Sequence, residues 1–319
     1  KRFLYYRPPA SAVKRYILKR LVVMVPTLVG ALTLVFIFIH VLPGHPVEVM
    51  LGETANAVDK QALRRELGLD QPLWIQYSAF VCGLARGDLG QSLRRRAPVM
   101  DLLSSRFPAT LQLTLAALLV ALTLAFPLGI AAALKPGSWI DHGARLFSLF
   151  GLAIPNFWLG PLLVIFFSIE LGWLPVSGRG DLRHLILPAV TLGTGMAAIV
   201  TRMLRSGLLD ALAQDYVRTA RAKGTSEAMI WFKHALRNSL LSVATVVGLQ
   251  FGALLAGSVI TETIFTWPGI GRLTIQAIQT RDYPLIQGCV LFIAVCYLLV
   301  NLATDVIYAV IDPRIRYEK

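Results

Sequence analysis

Residues 107–134 read FPATLQLTLAALLVALTLAFPLGIAAAL, without one charged side chain. About 20 apolar residues, rising roughly 1.5 Å each, cross the hydrocarbon of a bilayer. This stretch is long enough to do so and too apolar to face water. Five further charge-free runs lie at 21–42, 146–169, 185–201, 238–261 and 283–304. The run 185–201 is short and must extend toward His184 or Arg202, where arginine can snorkel to the interface. Pro26, Pro127, Pro155, Pro161 and Pro188 fall within these runs, as is normal for membrane helices. The pattern predicts an all-α membrane protein with six transmembrane helices.

Composition excludes the soluble alternative. Only 15% of the 319 residues are charged, against roughly 25% in soluble domains. Hydrophobic residues make up 55%, and the mean hydropathy is +0.63. With the N-terminus inside, segments 1–20, 135–145, 202–237 and 310–319 carry 19 Lys and Arg, and the outside segments carry 12. Eight of those 12 belong to the loop 43–106, which is too long to count for orientation. The bias predicts N-in/C-in, and the net charge of +13 reads as membrane topology. Nucleic-acid binding fits poorly, because the cations are split among short loops. The first run is too long for a signal peptide's apolar core, and Leu42-Pro43-Gly44-His45 is no small-x-small cleavage site.

No chemistry of catalysis is legible. Cys82 lies in the outer loop and Cys289 and Cys296 in the last span, so the cysteines form no disulfide framework. His40 and His45 flank Pro43 at a spacing poor for two metal ligands. HExxH, GxSxG and P-loop motifs are absent from the sequence, so no nucleotide-hydrolysing site of its own is expected, and neither a catalytic nor a metal site is predicted.

Two loops look structured. Outside, Asp59–Leu67 reads as a short helix capped by Asp59 and ended by Gly68. Pro72 starts a second piece with Trp74, Tyr77 and Val81 on one face, and Gly87-Asp88-Leu89-Gly90 is a turn. This region either caps the spans or receives a partner from outside. Inside, Leu209, Leu212, Tyr216 and Ala220 share one helical stripe, with Arg218 and Arg221 on another. Gly224 ends that helix in a left-handed conformation. Met229, Phe232 and Leu236 then recur at helical spacing between Lys233, His234 and Arg237. Two short helices joined at a glycine make a rigid protrusion. It is either a docking element for a cytoplasmic partner or an interfacial helix on anionic lipid.

The segment Asp215-Tyr216-Val217-Arg218-Thr219-Ala220-Arg221-Ala222-Lys223-Gly224, with His234-Ala235-Leu236-Arg237-Asn238, resembles the coupling loop of binding-protein-dependent ABC transporter permeases. Gly68-Leu69-Asp70-Gln71-Pro72, Pro175-Val176-Ser177-Gly178, Ile186-Leu187-Pro188-Ala189, Glu262–Gly271, Arg281-Asp282-Tyr283-Pro284 and Asp312-Pro313-Arg314-Ile315-Arg316 extend the likeness over nearly the whole chain. It is similar to the dipeptide/oligopeptide/nickel branch, most of all to the B-type dipeptide permease subunit. Thr219-Ala220-Arg221-Ala222 stands where the general loop begins Glu-Ala-Ala, as is usual in that branch.

This resemblance implies the type I ABC importer permease fold in a bacterial inner membrane. It divides the chain into a cytoplasmic segment 1–20, a permease domain 21–309 and a tail 310–319. Spans are expected near 21–42, 107–134, 146–169, 185–205, 238–261 and 283–308, with an outer loop 43–106 and a coupling loop 206–237. Implied partners are a second homologous permease, two cytoplasmic ATPases that bind ATP and Mg, and an extracytoplasmic solute-binding protein; the chain itself binds no cofactor. Coupling to an ATPase falls to Tyr216, Arg218, Thr219, Ala220, Arg221, Lys223, Gly224, His234, Arg237 and Asn238. The apolar stripe would enter an ATPase groove while Arg218, Arg221 or Lys223 meets acidic groups.

The passage is weakly marked, for charged mid-span residues are nearly absent. Asn156 and Gln250 are candidates to line it, with helix packing as the alternative. Asp305, near the inner end of the last span, is expected to cap or pair with a cation. Trp267, Pro268, Gly269 and Gly271 have the turn chemistry of an outer corner, which serves either as a gate contacting the binding protein or as a span anchor, with Trp267 at the interface. A secondary transporter would need midplane carboxylates or an inverted repeat, and a membrane enzyme a catalytic cluster; neither is visible. Dipeptides are the favoured cargo, with oligopeptides, glutathione, nickel chelates and haem as rivals. No role attaches to residues 1–13 beyond a cytoplasmic tail.

Overall fold

The computed structural model describes residues 10–41, 46–51 and 56–311. His45, the first nine residues and the Asp312–Arg316 motif lie outside the described residues. No strand forms among the described residues; a single bridge pairs Gln91 with Pro98.

The first span is α1 (Ala10–Val41). In the outer loop follow α2 (Pro46–Leu51), α3 (Ala57–Glu66) and α4 (Leu73–Ala85). Asn56 takes the N-cap position of α3, so Asp59 sits in the first turn and is not the cap. Gly68 stops the helix at φ +65°, and Gly87 and Gly90 also adopt positive φ in the expected turn.

The second span, α5 (Val99–Leu134), begins inside the outer loop, well before the charge-free run. Ala109, Leu113, Ala117, Ala121, Ala125, Gly129 and Ala133 recur every fourth residue, and all but Gly129 belong to one sealed core cluster. Leu115 and Leu119, off that stripe, are exposed, as lipid-facing residues should be. The stripe packs on α8 (Arg183–Leu212). A Cβ on Gly193 of α8 would lie 2.5 Å from the Ala117 carbonyl oxygen, and one on Gly129 would lie 3.1 Å from that of Thr201. Small residues let the two backbones approach, which is how helices bind where lipid removes the hydrophobic drive.

These contacts also give direction. Position 117 meets 193 and position 129 meets 201, so α5 and α8 run parallel. The chain between them must therefore return across the membrane. That return is α6 (Trp139–Ala153) followed by α7 (Asn156–Leu163) and a π-helical turn Val164–Glu170, bent by 107° at the joint. The expected straight third span is thus broken. Pro155 lacks an N–H and disfavours helical backbone at the residue before it; Ile154 is extended accordingly, with ψ 115°.

The cytoplasmic loop contains α9 (Asp215–Ala222), then α10 (Glu227–Met229) and a π-helix Ile230–Leu236 that runs into α11 (Arg237–Ile264). An outer helix α12 (Ile270–Gln279) precedes α13 (Tyr283–Ile311). Gly207 faces Ser239 and Thr110 holds Glu262, so α11 runs antiparallel to α5 and α8. Gly248 faces Thr304 and Gly252 faces Tyr297, which reverses α13 again. On α1, Arg20 pairs with Asp305 at 3.0 Å, while His40 stacks near Tyr283 at 5.3 Å. Four single helices are long and apolar enough to cross a membrane, and with each of two bent pairs, Trp139–Ala153 with Asn156–Glu170 and Glu227–Leu240 with Ser242–Ala256, taken as one span the crossings number six. Asp305 pairs with a cation as expected.

Candidate functional site

The cytoplasmic loop is bonded to a span and within itself. Span four does not end at 205: α8 continues to Leu212, and only Ala213 and Gln214 separate it from α9. The expected stripe Leu209–Leu212–Tyr216–Ala220 is broken by this turn. In α9 the buried side chain is Val217, with no exposed surface. Tyr216 leaves the stripe, and its hydroxyl accepts a hydrogen bond from Asn238 Nδ2 at 2.8 Å. Arg221 donates through Nε and Nη2 to Glu227, at 2.7 and 3.1 Å. These contacts tie α9 to the start of α11 and to α10.

The end of α9 is set by backbone geometry. Gly224 has φ +76°, its N–H donates to the Arg221 carbonyl at 3.0 Å, and Thr225 N–H donates to Ala220 at 3.1 Å. That is the left-handed stop read from the sequence. Arg218 makes only a loose pair with Asp215 at 3.6 Å. Thr219 donates to the Asp215 carbonyl at 3.0 Å. Thr219, Lys223, Arg237 and Asn238 are exposed, whereas Ala220 and His234 are half-buried.

The second amphipathic stretch has a different register from the one expected. Ile230 and Ala235 are buried, while Met229 and Phe232 are exposed, Phe232 by 64%. Residues five apart share a face because this turn is π-helical. Phe232, Met229, Tyr216, Arg218 and Lys223 are each exposed.

The outer corner is a packed knot. Trp267 is buried, not anchored at the interface; its Nε1 donates to the Ala109 carbonyl at 2.8 Å, and the Arg179 guanidinium stands 5.7 Å over its ring. Glu262, fully buried, accepts from Thr110 Oγ1 at 2.7 Å, Ser258 Oγ at 3.0 Å and Arg272 N–H at 3.0 Å. A Cβ on Gly269 would fall 2.3 Å from that carboxylate, and one on Gly271 2.5 Å from Val259 Cα. Pro268 is the middle residue of the Trp267–Gly269 turn, where Gly269 N–H donates to the Trp267 carbonyl at 2.8 Å. The loop 171–182 clasps the corner, since Gly178 N–H donates to Phe265 at 2.8 Å and Arg179 to Gln112 at 2.8 Å. There the His184 imidazole, hydrogen-bonded to Asp181 at 2.8 Å, holds that carboxyl below the usual carboxylate range.

Three buried carboxylates carry structure that the sequence reading did not assign. Besides Glu262, Asp141 has no exposed side-chain surface and pairs with Arg145 on α6 and Arg205 on α8. Asp282 accepts from Ser92 Oγ at 2.5 Å and Leu93 N–H at 3.1 Å. Acids at the rims of apolar runs were the available signal. Asn156 opens α7 beside the break, and Gln250 lies within α11, both half-buried. Among the described residues no cluster of His, Cys, Asp and Glu could hold a metal.

Residues 125–317 match the family described as binding-protein-dependent transport system inner membrane component, and residues 13–114 match its N-terminal counterpart. The chain belongs to this family. It is 48% identical to the di/tripeptide transport system permease protein DppB of Pseudomonas aeruginosa (strain UCBPP-PA14), over 95% of this chain and 99% of that one. It is 44% identical to the glutathione transport system permease protein GsiC of Escherichia coli (strain K12), with the same coverage. In fold it resembles a chain of the inward-facing MetNI methionine ABC transporter, with TM-score 0.53 and 20% identity over 67% of this chain and 97% of that one. It also resembles a chain of an amino acid ABC transporter with TM-score 0.51 and 19% identity, over 68% and 95%. The chain is thus an inner membrane component of a binding-protein-dependent transport system, and its fold is that of the two ABC transporter chains. Membership of the family implies a cytoplasmic ATPase and an external binding protein in general terms.

Proposed function

We propose that the chain is one of two permease subunits that together enclose a passage for dipeptides or short peptides. Two partner ATPases would bind ATP and Mg beneath it, and a solute-binding protein would deliver the cargo from outside. The observation that carries the reading is the fastening of α9: Val217 sealed inward, Tyr216 bonded to Asn238, and Arg221 bonded to Glu227. A helix held this way moves as one body with α8 and α11. Closure of an ATPase pair would then displace both spans, the two-state element that alternating access requires.

Within this reading Arg218, Lys223 and Phe232 face the ATPase, while Thr219, Ala220, Gly224, His234 and Arg237 keep the loop's shape. Trp267, Pro268, Gly269 and Gly271 form a rigid outer gatepost rather than a mobile flap, as their packing around Glu262 supports. Asn156 and Gln250 supply polar groups along an otherwise apolar passage. The peptide cargo rests on the likeness to the di/tripeptide relative, and glutathione, itself a tripeptide, is the second reading. Reconstitution of the permease pair with its ATPases and binding protein in proteoliposomes tests the proposal. ATP-dependent uptake of a labelled dipeptide is the expected result; uptake that persists without ATP or the ATPases sinks it.

A further inference from the structure

Helix α4 is joined to α1 at a depth that α1 itself measures. Arg20, paired with Asp305 at 3.0 Å, marks the inner end of α1; His40, whose ring lies 5.3 Å from that of Tyr283, marks the outer end. At roughly 1.5 Å per residue these two positions are about 30 Å apart, the thickness of the hydrocarbon. The Tyr77 hydroxyl of α4 shares a hydrogen bond with Thr33 Oγ1 at 2.7 Å, and its ring meets Phe36 edge-on at 5.2 Å. Along the helix axis Phe36 is about 6 Å and Thr33 about 10 Å below His40. At the level of His40 itself, Gln76 Oε1 stands 3.3 Å from the imidazole Nε2. The side of α4 that faces α1 therefore sits at the outer edge of the hydrocarbon and partly beneath it.

The other face of α4 suits that level. Trp74, Ser78, Val81, Cys82 and Ala85 recur at helical spacing and are all exposed, Trp74 by 71%. No residue of α4 is charged or buried. Ser78 Oγ turns back to donate to the Ile75 carbonyl at 3.0 Å, so on this stripe only the Trp74 indole N–H asks for a polar partner. A headgroup layer supplies one. Helix α3, just before, carries Asp59, Lys60, Arg64 and Arg65, the composition of a helix in water. The stripe is also continuous with a face that lipid covers, for α1 exposes Leu34, Ile37, Phe38 and Val41 beside the residues that hold Tyr77. With 13 residues, α4 is too short to cross the membrane.

We infer that α4 lies in the outer leaflet as an interfacial helix, with Trp74, Ser78, Val81, Cys82 and Ala85 against phospholipid acyl chains and their ester region. Helices of this kind seat their apolar face roughly 5–10 Å into the headgroup and acyl boundary, the depth at which Tyr77 meets Phe36 and Thr33. Depth decides for lipid over a soluble partner, which docks on surface that water covers. The outer loop is thereby pinned to the membrane through α4, while the charged α3 stays in solution.

The test places the whole transporter, with its partner subunits, in phospholipid nanodiscs and puts a nitroxide on one cysteine at a time, with Cys289 and Cys296 replaced by alanine. Collisions with molecular oxygen, which concentrates in hydrocarbon, are compared with collisions with a neutral nickel chelate, which stays in water. At Cys82, and in Val81→Cys/Cys82→Ala, oxygen should exceed the chelate several-fold; in Asp59→Cys/Cys82→Ala the order should reverse. A second measurement needs no substitution. In right-side-out membrane vesicles, peptide mass spectrometry should find wild-type Cys82 modified by N-ethylmaleimide and several-fold less by a sulfonated maleimide that does not enter the bilayer. Chelate collisions at Cys82 as frequent as at position 59 overturn the inference, as does ready modification by the sulfonated reagent. Exclusion of oxygen and chelate alike overturns it too: protein then covers the stripe, the binding protein if withholding it restores collisions and a partner subunit if not.

Discussion

Arg205 on α8 donates two hydrogen bonds to Asp141 on α6, at 2.5 and 2.9 Å, and Asp141 has no exposed side-chain surface. The pair joins the inner arm of the broken third span to the parallel core helix. Arg145 adds a second guanidinium, and Gly137 N–H donates to Asp141 at 2.9 Å. Replacing Asp141 by Asn should cost about 3 kcal/mol, because the half-buried Arg205 is left without its counter-charge. The double variant Asp141→Asn/Arg205→Gln should recover part of that loss. Thermal unfolding in detergent measures both, and a double variant no more stable than the single would show that the pair adds nothing.

Gly224 has open space where a Cβ would stand, yet its φ is +76°. Its substitution therefore acts through backbone strain and not through bulk. Gly224→Val should cost about 1–2 kcal/mol locally and lower uptake per ATP hydrolysed. Gly224→Asn, which tolerates the left-handed region, should keep most of the coupling. Equal defects in the two variants would point to a direct contact with the ATPase instead.

The outer corner offers a contrast between two glycines. At Gly271 a Cβ meets the Val259 backbone at 2.5 Å, whereas at Gly143 it meets nothing within 4 Å. Gly271→Ala should destabilise the protein by about 1–3 kcal/mol, the cost of overpacking, and abolish uptake. Gly143→Ala, in the middle of α6, should be neutral or stabilising by up to about 1 kcal/mol. Melting temperatures of the two variants decide the matter.

Acid should loosen the clasp on the outer corner. The carboxyl of Asp181 is lowered by its bond to His184, so its contribution is whole above the ordinary carboxylate value of about 3.9. It is lost as pH falls through the lowered value. Wild type should therefore show a drop in melting temperature below about pH 4 that Asp181→Asn lacks. The exposed position of Asp181 keeps this difference small.

The π-helical turn at 230–236 shows where pattern reading failed. Met229, Phe232 and Leu236 fit a 3.6 period, yet of these only Leu236 packs on the core, and the turn buries Ile230 and Ala235. In α9, likewise, the two-residue turn after Leu212 shifted the register, so Val217 and not Tyr216 faces inward. Helical periodicity predicts a face only while the helix is continuous and regular. Gly224 was legible because positive φ is a local property of one residue.

What the sequence by itself determined was the crossing of the membrane. A bilayer excludes charge over about 30 Å, so runs such as 107–134 announce spans whatever their neighbours do, and the arginines and lysines between them set the orientation. Tertiary structure alone decided that α5 and α8 run parallel, and that Asp141, Glu262 and Asp282 are sealed among their donors. Those outcomes depend on which small residues let two backbones approach and which distant donor meets each carboxylate. Such pairings between residues far apart in the chain leave no mark on local composition.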